Sequence, residues 1–283
     1  MITLCSVILD SSTPYMEAFE RTLGDNLKLV EKILFCKVDA PPEFLEHKTF
    51  AGIPCTTFGY PNHFLDNLNY REWLGHPLGM RACFERVTTK YIYATDPDVL
   101  FLSPTDELYL SVIEKHDVSM IGVTCWNQPL AAGPFPTVIN MMIRTADLPD
   151  SDFLKEDTVA EEETGTIFPC GAKKLMHLPG EYMVGTRLEK YASEFINPNA
   201  TFDTGCYLYL WCKWHNLRWV GFLVAQSHHL YESRFYRNNF GLKDKLPVRK
   251  LIWHSTESVK RPDHYWDNYM AEWEKYKTRM AED

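Results

Sequence analysis

The chain contains no apolar run near the roughly 20 residues that span a bilayer; Trp219 to Ala225 is among its longest. Its eight cysteines, at 5, 36, 55, 83, 125, 170, 206 and 212, form no Cys-x-x-Cys pair, so no zinc knuckle is indicated. Several lie inside apolar stretches, as reduced core thiols do. There is no Walker loop, and no G-x-G-x-x-G follows the first apolar run, which disfavours kinases and dinucleotide enzymes. Met1 to Asp10 lacks the positive region and cleavage site of a secretory leader and reads as a buried strand. These absences together predict a soluble, cytoplasmic protein. Basic residues are also in deficit: a net charge of -9 argues against a surface built to coat nucleic acid and leaves room only for a local basic groove.

Apolar residues are plentiful. They make up 45% of 283 positions, enough for a full core, which removes disorder from consideration. Aromatics reach 14%, a richness that suits carbohydrate stacking but also ordinary core packing. Thr13 and Pro14 read as a helix cap and first residue, Met16, Phe19 and Leu23 as one helical face, and Gly24 as its stop. Val30 to Val38 and Thr56 to Phe58 read as strands. Met80, Cys83, Phe84 and Val87 mark an amphipathic helix, started by Gly75-His76-Pro77. Val118 to Thr124, Val138 to Ile143 and Arg218 to Val224 are further strands; Phe202 to Trp219 and His264 to Met280 are helices. The acidic run over residues 150–163 reads as a solvated face. This alternation predicts an α/β fold with a mostly parallel, mixed sheet flanked by helices. No repeat or low-complexity linker is present, so the expected organisation is one domain over residues 1–230, with a C-terminal extension, 231–283, that completes the site.

The most informative stretch runs Tyr91-Ile92-Tyr93-Ala94-Thr95-Asp96-Pro97-Asp98-Val99-Leu100-Phe101-Leu102. Two carboxylates interrupt a run otherwise suited to a buried strand. In an extended segment, positions 96 and 98 share one face. Two neighbouring, partly buried carboxylates need a positive partner, and hard divalent cations take carboxylate oxygens. Pro97 donates no amide to a ladder, which suits a strand end that opens into a site. The alternative is a plain turn, since Asp and Pro are both turn residues.

From Gly75 through the helix to Thr88-Thr89-Lys90 and the acidic strand, the segment resembles the GT-A fold glycosyltransferases, in particular their family-two-like branch, where a glycine-led helix feeds a strand ending in Asp-x-Asp. The resemblance implies a GT-A nucleotide-sugar-binding fold and a Mn2+- or Mg2+-dependent transfer of a sugar, from a UDP-sugar by expectation, to a hydroxyl of an acceptor glycan or other compound, a surface glycan or lipid-linked sugar being the default. In its terms Asp98 binds the metal, Asp96 meets the ribose and the metal shell, and Thr95 adjoins the sugar nucleotide. His254, in Leu251-Ile252-Trp253-His254, stands where relatives place a late metal-binding histidine; an ordinary core or surface histidine is the competing reading. Asp203, in Phe202-Asp203-Thr204-Gly205, is the candidate base of an inverting reaction, with a helix cap as its alternative and a retaining mechanism then open. Asp10 and Ser12 follow the first strand, where α/β sheets bind ligands, and by resemblance meet the nucleoside. Arg81 either reaches the donor phosphates or pairs with Glu85 one turn on.

Arg234, Arg237, Lys243 and Lys245 stand among aromatic residues and form a candidate patch for an acceptor or for phosphate. That patch motivates one rival, a phage-type DNA glycosyltransferase acting on hydroxymethylated bases, which the net negative charge opposes. A sugar-phosphate nucleotidyltransferase shares the metal–carboxylate chemistry but ordinarily shows a glycine-rich N-terminal loop, absent here. A non-catalytic carbohydrate-binding protein is the rival without chemistry.

Overall fold

The computed structural model describes residues 1–38, 40–60, 71–124, 135–148, 208, 211–213, 215–225, 229–254 and 262–282. The strands are β1 (Ile2–Ile8), β2 (Val30–Val38), β3 (Leu45–Phe50), β4 (Ile53–Tyr60), β5 (Tyr91–Thr95), β6 (Val99–Phe101), β7 (Met120–Thr124), β8 (Pro136–Arg144), β9 (Trp219–Val224), β10 (Leu230–Asn238) and β11 (Lys250–His254). The helices are α1 (Met16–Asn26), α2 (Arg71–Phe84), α3 (Thr105–His116) and α4 (Pro262–Glu282). All the strands join one 11-stranded sheet in the order β3-β4-β2-β1-β5-β8-β7-β9-β10-β11-β6.

The α/β class and the flanked mixed sheet are as expected. Parallel pairing, however, is confined to β4-β2-β1-β5 and to β7 with β9. The remaining ladders are antiparallel, so the expected parallel majority describes only the N-terminal part of the sheet. There β1 is buried on both faces, which is why it reads as continuously apolar. Alternate residues of β1 enter different cores. Cys5 and Val7 pack with Met80, Cys83 and Phe84 of α2, whereas Ile2 and Leu4 pack with Phe19 and Leu23 of α1 and Tyr109 and Ile113 of α3. Residues 231–254 continue the same sheet through β10 and β11. A third cluster joins Tyr15, Leu100 and Trp253 to Tyr269, Trp273 and Tyr276 of α4. No helix among the described residues is long and apolar enough to cross a membrane.

Several element boundaries differ from expectation for local reasons. Thr13 and Pro14 belong to a 3-10 turn, Asp10–Tyr15, and α1 begins only at Met16. Gly24 does not stop α1, which continues to Asn26, whose side-chain amide donates to the Thr22 and Phe101 carbonyls at 2.9 Å each. Gly24 instead allows a close approach, since a Cβ there would stand 3.2 Å from the Ala51 Cβ. Helix α2 starts at Arg71, so Gly75-His76-Pro77 lies inside it rather than before it. Strand β3 is not legible in sequence because five of its six residues are exposed, leaving no apolar period to read. Of the expected helix Phe202 to Trp219, residues 208 and 211–213 are helical, while Asp203 and the acidic run lie outside the described residues. The described cysteines are buried and free.

Asp106, fully buried at the start of α3, accepts the backbone N–H groups of Lys28 at 2.7 Å and Leu29 at 2.6 Å. It ties α3 to the connection between α1 and β2. Asp106→Ala leaves those donors without their acceptor, a loss of about 2 kcal/mol. A lowered urea midpoint with an unchanged denaturant slope is the expected result; an unchanged midpoint would contradict the assignment.

Candidate metal centre

The acidic pair lies at the carboxyl end of β5, the edge at which α/β sheets present ligand sites. The Asp96 N–H extends the β5–β8 ladder by one bond, to the Ile139 carbonyl at 3.1 Å. Residues 96–98 then turn instead of continuing as strand. The turn sends the chain into β6, which leaves β5 and pairs with β11 in the register Val99–His254. The carboxylates therefore converge through a turn and a non-local strand pairing, not through a shared strand face.

This route brings Asp96, Asp98 and His254 together, with one donor atom of each inside 4.8 Å of the others. His254 Nε2 stands 3.4 Å from Asp98 Oδ1 and 3.9 Å from Asp96 Oδ2. Donors sharing one ion at about 2.1 Å stand about 3 Å apart, so small side-chain adjustments close the set. Two carboxylate oxygens with one imidazole nitrogen fit a divalent cation, and the nitrogen favours manganese over magnesium. Beside the pair, the hydroxyl of fully buried Tyr269 has no hydrogen-bond partner among the described residues. Burial, and then the Asp98 charge, push that phenol up.

Asp96 is also gripped from the opposite side. His76 Nε2 lies 2.8 Å from Asp96 Oδ1. Burial pushes the Asp96 carboxyl up, but the His76 charge and hydrogen bond, with the His254 charge, outweigh it and hold the group below the usual carboxylate range. His229 completes the surroundings. Its Nδ1–H donates to the His254 carbonyl at 3.0 Å, and its ring lies 4.9 Å from that of Trp253. Sequence reasoning missed both histidines as site residues. The one available signal was the position of His76 inside the glycine-led helix; nothing local marked His229.

The other expected residues divide. Asp10 is exposed in the 3-10 turn after β1, at the same edge of the sheet. Ser12 is buried, and its hydroxyl accepts the Leu9 N–H at 3.1 Å, which makes it a brace for that turn. Thr95 is fully buried and donates to the Ile139 carbonyl at 3.1 Å. Arg81 pairs with Glu85, Nε to Oε1 3.0 Å, while its Nη1 is buried without a hydrogen-bond partner among the described residues. The basic patch is not assembled around the acidic pair. Arg237 is in register with Gly221 and lies on β10, which stands four strand positions from β5 in the sheet order. Lys243 and Lys245 flank Asp244, which pairs with Lys115 at the carboxyl end of α3. Arg234 is committed to Glu232 at 2.5 Å and to the face of Phe235.

No protein-family model matches the chain, and no curated protein matches it. Solved structures overlap it in part. Residues 1–349 of S. aureus TarS align at 11% identity over 54% of this chain and 49% of that one, with a TM-score of 0.38. The galactosyltransferase LgtC, in complex with donor and acceptor sugar analogues, aligns at 12% over 59% and 66%, with a TM-score of 0.41. The glycosyltransferase GlyE of Streptococcus pneumoniae TIGR4 aligns at 11% over 72% and 45%, with a TM-score of 0.39. The chain spans about half the length of the TarS fragment and about two thirds of LgtC. Overlaps at these scores carry no inference about activity.

Proposed function

We propose that the chain is a metal-dependent GT-A glycosyltransferase that moves a sugar from a nucleoside-diphosphate donor, a UDP-sugar by expectation, to an acceptor hydroxyl. One observation carries the reading: the neighbouring Asp96 and Asp98 converge with the sequence-distant His254 at the carboxyl end of β5, with geometry and donor chemistry suited to a divalent cation. Bound there, the cation would supply Lewis-acid neutralisation of the charge that grows on the leaving diphosphate.

Asp98 and His254 would hold the ion, with Asp96 Oδ2 directed to the same point. The C-terminal extension, 231–283, contributes His254 through β11, in keeping with a domain over 1–230 that is incomplete without it. Asp10, on the exposed turn after β1, would meet the nucleoside of the donor, and Arg81 would offer the donor its Nη1, which has no hydrogen-bond partner among the described residues, after a side-chain shift. Asp203 is retained as the proposed base of an inverting reaction, removing the acceptor proton as the hydroxyl attacks.

A donor screen tests the reading. UDP-, GDP-, TDP- and CMP-sugars are incubated with the protein with and without Mn2+, and hydrolysis and binding are recorded. Manganese-dependent hydrolysis of at least one donor, abolished by EDTA, is the expected outcome. No turnover and no binding of any donor with any divalent metal would refute it.

A further inference from the structure

His76 is a neighbour of the acidic cluster that the proposed chemistry does not yet use. Its Nε2 lies 2.8 Å from Asp96 Oδ1, and a carboxylate can only accept, so the imidazole carries the proton on Nε2 and donates it. His76 does not belong to the three-residue donor cluster. We propose that His76 is a positioning residue: by holding Asp96 Oδ1 it fixes the rotation of that carboxylate and presents Oδ2 to a cation shared with Asp98 and His254. The inference rests on the metal-site reading above.

The fold shows why α2 can perform this task. Met80, Cys83 and Phe84 anchor the helix in the core. Gly79, one turn after His76, lets the helix sit close on the sheet: a Cβ there would stand 3.1 Å from both Val7 Cγ atoms and 3.2 Å from Cys36 Sγ. Apolar packing thus fixes the height of α2 above β1 and β2, and His76 is delivered to Asp96 from a framework that does not depend on the pair. Both side chains keep about a fifth of their surface exposed, so solvent screens the contact and fold maintenance is a weak reason for it. Orientation of a metal-binding carboxylate is a stronger one. Groups that hydrogen-bond to ligands in this way typically govern metal affinity by about 10–100-fold.

The test uses the full chain without donor. Mn2+ binding is measured by the EPR signal of the free aquo ion, for the wild type, His76→Ala and His76→Gln. Alanine is expected to weaken Mn2+ binding by about 10–100-fold, and glutamine, whose amide can donate to the same oxygen, to restore most of it. Melting temperatures in EDTA are expected to stay close to the wild-type value in both variants. Pulsed EPR at saturating Mn2+ should show one directly bound nitrogen in the wild type and in both variants. A wild type that binds no Mn2+ would sink the metal site itself. Mn2+ binding unchanged in His76→Ala, or as weak in His76→Gln as in His76→Ala, would overturn the positioning role alone, as would loss of a directly bound nitrogen on substitution.

Discussion

Asp98→Asn is expected to lower the Mn2+-dependent kcat/KM for donor hydrolysis by about a thousandfold or more. The amide keeps the shape of the side chain and one oxygen but removes the charge, and a metal that stabilises a departing diphosphate supplies several kcal/mol of the rate. A loss of about 4 kcal/mol corresponds to about three orders of magnitude. The fold should survive, because Asp98 occupies a turn and takes no place in the three hydrophobic clusters. Without metal the variant should melt no lower than the wild type, since a negative charge beside Asp96 has been removed. The rise in melting temperature that Mn2+ confers on the wild type by binding the folded state should shrink or vanish. Melting curves with and without Mn2+, beside the kinetics, separate loss of the site from loss of the fold. Retained metal-dependent turnover would refute the role given to Asp98.

Gly122→Ala should be the most damaging small substitution in the sheet. Gly122 lies in β7, opposite Met141 of β8 on one side and Gly221 of β9 on the other. A Cβ at this position would come within 2.4 Å of the Asn140 carbonyl oxygen and 2.5 Å of the Met141 Cβ. The first of these is backbone, so no rotamer change relieves it, and β8 must move. Overpacking usually costs about 1–3 kcal/mol, and a clash with a strand held on both edges belongs at or above the top of that range. β8 also supplies the Asn140 side chain, which accepts from Tyr93 at 3.0 Å and Tyr109 at 2.9 Å in the layer below the acidic turn. The expected result is a large drop in the urea midpoint or failure to accumulate folded protein; a midpoint matching the wild type would contradict the tight β7–β8 packing.

How far the sequence could be read follows from what kind of information each feature carries. Strand β1 was legible because burial on both faces makes its apolar run continuous, and β2 through its buried run Ile33 to Cys36. β3 was not, because its residues face solvent. Gly24 was read as a stop when its function is to let α1 approach Ala51, a contact with a residue distant in sequence. The same divide runs through the site. Asp96 and Asp98 were visible as charges in an apolar run, and His254 through the family resemblance. The means of their meeting, a turn that hands the chain from β5 to β6 and so to β11, is a long-range pairing that local periodicity does not encode. His76 was hidden for another reason: within the helix pattern it is one polar residue among others, and only the placement of α2 against the sheet gives it a partner. The basic patch shows the converse, residues close in sequence that the fold directs away from the carboxylates.

The most direct measurement is a crystal soaked with Mn2+ and UDP, with diffraction recorded near the manganese absorption edge. The account predicts an anomalous peak bounded by Asp98, His254 and Asp96 Oδ2, about 2.1–2.2 Å from its ligand atoms, with diphosphate oxygens on its open side. Diphosphate bound elsewhere, with these three side chains hydrated and no manganese among them, would contradict it.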